Sequence, residues 1–244
     1  MKKFVFAIAC LFSIASADVF QGFDVNYKSK YVSRGTIFEG GLAANEGSSV
    51  VFTDAWISNN GLTFTAFTST YFPENSPKTN EADIFVDYKR EFFGVTFDAG
   101  VNYYTFPNST ELSQYSSTGE LTFYAQKTIG HFMFGVNFYK DFIQSEGIYI
   151  TPNLKTTWTV NDFTINTNTS LGYVDSKHNL YMRGIEEDGI SDITLDLEVK
   201  YTVPFHKNLV LGMDVHEAYQ PEISTSNNPG WQGIFFGSGV GYSW

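Results

Sequence analysis

Apolar and polar side chains alternate with a period of two, segment after segment, along most of this chain. In "DITLDLEVKYTV" (192–203), Ile193, Leu195, Leu197, Val199, Tyr201 and Val203 oppose Asp192, Thr194, Asp196, Glu198, Lys200 and Thr202. "FDVNYKSKY" (23–31), "VTFDAGVNYY" (95–104) and "FTINTNTSLGY" (163–173) behave in the same way. A period of two sends successive side chains to opposite faces of a strand, so each segment must meet two different solvents. Twelve such segments are readable, near 19–34, 48–58, 61–72, 81–91, 94–106, 117–128, 131–141, 146–159, 162–174, 190–204, 208–219 and 232–244. Pro152 cannot donate to a ladder, which predicts a bulge or register change in the eighth.

The connections alternate too. Short turns fall at 59–61, 90–94, 128–131, 159–162 and 204–208. Longer polar loops fall at 35–47, 73–80, 107–116, 175–189 and 220–231. Short turns on one side, long loops on the other and an even strand count predict an all-β fold, a 12-stranded antiparallel up-and-down transmembrane β-barrel. Closure satisfies every backbone donor and acceptor without water, which a span through lipid demands. A soluble β-sandwich would alternate as well, but it would not sort rings to strand ends. Here Tyr31, Tyr71, Phe72, Tyr103, Phe106, Tyr173, Tyr219 and Trp231 gather toward the long loops, and Phe92, Phe93, Trp158, Phe163, Phe205 and Trp244 toward the turns. Two aromatic girdles at two interfaces are expected of such a barrel. Aromatics reach 18% of the chain, while no apolar run after residue 17 is long enough for a membrane helix.

Residues 1–17, "MKKFVFAIACLFSIASA", combine a basic start, an apolar stretch and small residues before Asp18, the layout of a cleaved signal peptide. The barrel is then expected over 18–244, in the bacterial outer membrane. Cleavage would remove Cys10, the single cysteine, and leave 13 basic against 26 acidic side chains, a net charge of −13. Such a surface excludes nucleic acid as a partner. The last segment ends "GSGVGYSW", and its phase from Ile234 to Tyr242 and Trp244 reads as an assembly signal for the barrel assembly machinery. Outer-membrane lipid, lipopolysaccharide and small solutes are the other expected partners.

If one face meets lipid, the other lines a lumen. The expected lining comprises Asp24, Lys28 and Lys30 on the first strand, with Arg34 at its loop end. It continues with Asp83, Asp87, Lys89 and Asp98, and then Asp196, Glu198, Lys200, Asp214 and His216. Arg34 is expected to pair with a lumenal acid such as Asp54. The excess of carboxylates predicts a bias toward cations, and a folded-in first long loop would narrow the path. "EED" (186–188) reads as a solvated acidic tip, because no Gly-spaced calcium loop accompanies it. No cofactor or metal motif is present in the sequence. Two rival classes stay open. One is a barrel enzyme acting on lipid, for which His131, His178, His206 and His216 are the candidate bases, with no serine at an obvious partner position beside His216. The other is a non-conducting structural or adhesive barrel.

"SKYVSRGTIFEGG" (29–41), with Tyr31, Arg34 and Gly35 and then a polar loop, resembles the opening of the TorF-type porin family. The resemblance implies a small exported barrel with a channel-like role in the outer membrane. It implies no particular solute.

Overall fold

The computed structural model describes residues 19–34, 36–37, 49–72, 80–106, 117–221 and 231–244. The expected signal peptide and most of four long loops lie outside them. Twelve strands close into one ring: β1 (Val19–Lys28), β4 (Ser49–Asn59), β5 (Leu62–Phe72), β6 (Glu81–Phe92), β7 (Val95–Thr105), β8 (Thr118–Ile129), β9 (Phe132–Asp141), β10 (Ile148–Val160), β11 (Phe163–Val174), β12 (Gly189–Thr202), β13 (Leu209–Gln220) and β14 (Trp231–Ser243). Each pairs antiparallel with its neighbours in the chain, and β14 returns to β1. At that seam the Gln21 N–H donates to the Trp244 carbonyl at 3.1 Å and the Trp244 N–H to the Gln21 carbonyl at 2.9 Å. Two short strands, β2 (Val32–Ser33) and β3 (Thr36–Ile37), form a hairpin apart from the ring. Among the described residues one helix, α1 (Ser176–Arg183), lies in the loop between β11 and β12.

Turn chemistry explains why one rim is short. Asn59 pairs with Leu62 across Asn60 and Gly61, both at positive φ (50° and 86°). Phe92 pairs with Val95 across Phe93 and Gly94, also at positive φ. Two central residues with φ above zero make the tight hairpin whose twist matches that of the strands.

Alternation becomes two surfaces. Ile84, Leu121, Phe134, Leu195 and Ile234 stand outward and exposed, with Trp158 and Phe163 toward the turns and Tyr103 and Tyr219 toward the loops. Such a continuous apolar exterior is what lipid would cover. No helix among the described residues is long and apolar enough to cross a membrane, so the crossing elements are the strands.

Three expectations need correction. The first segment does not run to residue 34. β1 ends at Lys28, near the start of β4; Ser29 still donates to the Phe236 carbonyl of β14 at 2.8 Å, and beyond it β14 continues with β13 alone while the chain turns inward. Tyr31 and Tyr71 consequently belong to the interior, 6.5 Å apart between centroids, and not to the loop-side girdle. Finally, the register of β10 runs unbroken past Pro152, which pairs with Val136 and faces outward. The register shift falls instead between Gly172 and Tyr173, where β12 carries Ser191 as the extra residue.

Candidate functional site: a lumen with two unlike walls

The strand register carries the polar phase of every strand to the inside. One wall comprises β11 to β14 and β1. There Asn168 donates to Asp196 at 2.7 Å, and Asn166 to Glu198 at 2.9 Å. Asp196 also meets His216, and Lys200 lies 3.1 Å from Glu198. Lys28 reaches Asp214 at 2.5 Å across the intervening strand β14. Gly237 stands between them in the register, and a Cβ at that position would collide with both side chains. The carboxylates named here all have partners.

The opposite wall, β4 to β10, is different. Rings project inward one strand after another: Phe52 and Phe67 at 5.4 Å between centroids, Phe67 and Phe85 at 6.2 Å, Phe85 and Tyr104 at 5.8 Å. The band continues with Tyr124 and Tyr139 at 5.6 Å and Tyr139 and Tyr149 at 5.7 Å. Acids are interleaved with it. Asp54 and Asp83 lie opposite Phe67 in the register, and Asp98 lies opposite Tyr124. Asp83, only 3% exposed, accepts from the Thr105 N–H at 3.1 Å through Oδ1; its Oδ2 accepts from no donor among the described residues, and the likewise buried Glu81 carboxyl is beside it.

The β2–β3 hairpin crosses the lumen to this wall. Arg34, at its turn with φ of 51°, forms a two-pronged pair with Glu120, its Nη2 donating to Oε2 at 2.6 Å. The guanidinium lies 4.3 Å from the Tyr139 ring centroid and 5.4 Å from that of Tyr149. Tyr104 completes the socket, donating to Glu120 at 2.9 Å. The expected partner Asp54 is therefore replaced by Glu120, because the hairpin carries Arg34 away from β4 and across the barrel. Planar guanidinium against carboxylate and ring is a strong pairing when water is displaced.

α1 grips the hairpin from above. Asp175 caps the helix by accepting from the His178 N–H, and Gly184 ends it in the left-handed conformation (φ 73°). Arg183, in the last turn, donates to the Arg34 carbonyl at 2.7 Å. Burial, together with the positive charges of Arg34 and Arg183, pushes the His178 imidazole down to about 3, so it is neutral. Of the "EED" group, Asp188 accepts from the Ser176 N–H at 2.5 Å and the Glu187 carbonyl accepts from Asn179, which ties that segment to the helix. Among the described residues no cluster could hold a metal ion.

Two cavities flank the hairpin. One, of about 550 Å³, touches Lys28, Lys30, Asp196, Glu198, Asp214 and His216. The other, of about 620 Å³, touches Arg34, Asp83, Asp87 and Asp98 along the aromatic wall. Tyr31, Val32, Lys155, Asn168 and His216 border both. Of the remaining expected residues, Asp24 lies opposite Asp54 and Lys89 opposite Asp98, both on the inner face, and Lys200 lies beside Glu198. Sequence reasoning left Glu81, Glu120, Asp141, Lys155 and Asp192 out of the inner face, although each continues the polar phase of its strand. Tyr242 and Trp244 lie beside the seam with ring centroids 5.5 Å apart and planes tilted by 41°.

A closed ring, apolar outside and polar within, defines the outer-membrane type of β-barrel. No protein-family model matches the chain, and no curated protein matches it by sequence. Solved structures do match. A KdgM porin superposes with a TM-score of 0.57 at 13% identity, covering 91% of this chain and 99% of that one. A KdgM porin in complex with disordered oligogalacturonate gives 0.54 at 13% identity, covering 92% and 99%. A NanC porin gives 0.54 at 12% identity, covering 91% and 98%. At these identities the shared property is the fold.

Proposed function

We propose that this chain is a porin-like channel of the bacterial outer membrane, passing small hydrophilic solutes with a preference for cations. The observation that carries the reading is the inner face. Two cavities lie within a closed wall, and carboxylates outnumber basic side chains along it. The likeness to KdgM and NanC porins supports the class, and the TorF-type opening segment belongs with it. Oligogalacturonate, found with one KdgM porin, carries a carboxylate on each sugar. An acid-rich lumen repels such a chain, so that ligand does not transfer to this protein.

On this reading the short turns face the periplasm, the girdles sit at the two headgroup layers, and Tyr242 and Trp244 serve insertion by the assembly machinery. The enzyme alternative has little support. His216 and Asp196 face the lumen rather than lipid, and the register partners of His216 are Asp196 and Phe235, neither of them a serine. Planar-bilayer recording under a salt gradient tests the proposal. A reversal potential displaced toward the cation value is expected. Absence of conductance, or an anion-selective current, refutes it.

A further inference from the structure

Arg34 shows what the aromatic wall can hold. Its guanidinium lies over two rings and is clasped by a carboxylate, all supplied by the barrel and filled by a side chain of the same molecule. The adjoining cavity repeats that pairing without an occupant among the described residues. Phe67 lies between Asp54 and Asp83 in the register, Phe85 is flanked by Asp83 and Asp87 on its own strand, and Tyr124 lies opposite Asp98. Directly opposed residues in an antiparallel pair bring their Cβ atoms within about 4.5–5.5 Å, so ring and carboxylate can serve one ligand group together. An independent sign is the buried carboxyl pair of Asp83 and Glu81, each with an oxygen that accepts from no donor among the described residues, an arrangement that is costly unless a cation or donor joins it. A cavity of about 620 Å³ is of small-molecule size.

We infer that this cavity is a binding site for organic cations with a guanidinium or alkylammonium head. This deepens the channel reading and rests on it for the route of entry, but the site itself requires only the barrel. The head stacks on Phe85 or Tyr124 and donates to Asp83, Asp87 or Asp98. Arg34, Lys155 and His216 are the basic side chains that line the cavity, with Lys89 opposite Asp98; Arg34 is already clasped by Glu120, and the acids of the lining, Asp54, Asp83, Asp87, Asp98 and Asp192, outnumber them. A neutral sugar would use the rings but leave the carboxylates without their charge partner. An anion is repelled outright.

The probe is agmatine, with maltotriose and glutamate as controls. Binding to the full chain in detergent micelles is followed by calorimetry, and block of the sodium current is followed in bilayers. Agmatine is expected to bind and to block, and the controls to do neither. Asp54→Asn with Asp87→Asn preserves side-chain volume and is expected to weaken binding roughly tenfold, and Phe85→Leu to weaken it by a smaller factor. Heat-modifiable migration on gels shows that each variant is folded. Equal affinity for maltotriose, no agmatine binding, or affinity unchanged in both folded variants overturns the site. Conduction without binding overturns the site and leaves the channel. Binding without conduction overturns the channel and supports the site.

Discussion

The two walls of this lumen are built on the same strand geometry and carry similar charges, yet they treat those charges oppositely. On β11 to β14 and β1, the acids Asp196, Glu198 and Asp214 are met by Asn or His from the adjacent strand, or by Lys28 from one strand further. On β4 to β10, rings occupy the positions where such partners would stand, and Asp83 and Asp98 each keep an unpartnered oxygen. A carboxylate beside an aromatic ring cannot be neutralised by it, so its field remains available to a mobile ion. The excess of acids proposed to favour cations therefore does not act evenly around the lumen. What matters is which of them the protein has already satisfied.

The largest effect is expected from removing the cation that the aromatic wall clasps. Arg34→Met would strand the Glu120 carboxylate, which is 3% exposed, and loss of one partner of a buried pair costs about 3–5 kcal/mol. The hairpin is expected to leave its socket, seen as faster proteolysis within 31–37 and a larger single-channel conductance. Adding Glu120→Gln should recover much of the thermal stability but not the socket. Unchanged proteolysis in the single variant would show that the hairpin is held by something else.

A second test sets wall against wall. Asp54→Asn with Asp87→Asn and Asp98→Asn should move the reversal potential further toward zero than Asp196→Asn with Glu198→Gln and Asp214→Asn. Equal displacement would erase the distinction drawn here.

Acid sharpens the picture at the mouth. The His178 imidazole is held near 3 in the fold, below the ordinary value of about 6.5 expected once unfolded. The unfolded segment therefore binds the proton more readily. Its contribution to stability is intact above about 6.5 and is lost progressively as pH falls toward 3. Around it, Arg34 and Arg183 oppose protonation while Asp175 and Asp141 favour it. Hydrogen exchange across α1 is expected to quicken over that window in the native chain and to stay level in His178→Gln. The smallest effect belongs to the surface pair Lys177–Glu146, both more than half exposed. Lys177→Ala should alter stability by less than about 0.5 kcal/mol.

Particular residues show how much of this was legible in the sequence. The period-two pattern is local, so strand positions, phase, ring closure and the inward set from Asp24 to His216 could be read from it. Reading the phases simply as apolar for lipid and polar for water hid the aromatic wall. Phe85 shares its phase with Asp83, Asp87 and Lys89, and Tyr124 shares its phase with Glu120 and Gln126. A ring flanked by polar side chains two residues either side was a signal for an inward aromatic. The helix α1 was also foreshadowed, by an Asp cap and a Gly stop nine residues apart at 175 and 184. Arg34 and Glu120 were beyond reach. They stand 86 positions apart, and nothing local to either dictates which way the first loop turns.

One arginine holds the hairpin from two sides: its side chain is seized by the barrel, and its carbonyl by Arg183 of a different loop. A latch fastened at both ends of a single residue does not slip by degrees, because releasing either grip exposes the other to water. The electrical signature of such a latch is a pair of discrete current levels with abrupt steps between them. A continuum of partial openings would belong to a looser construction.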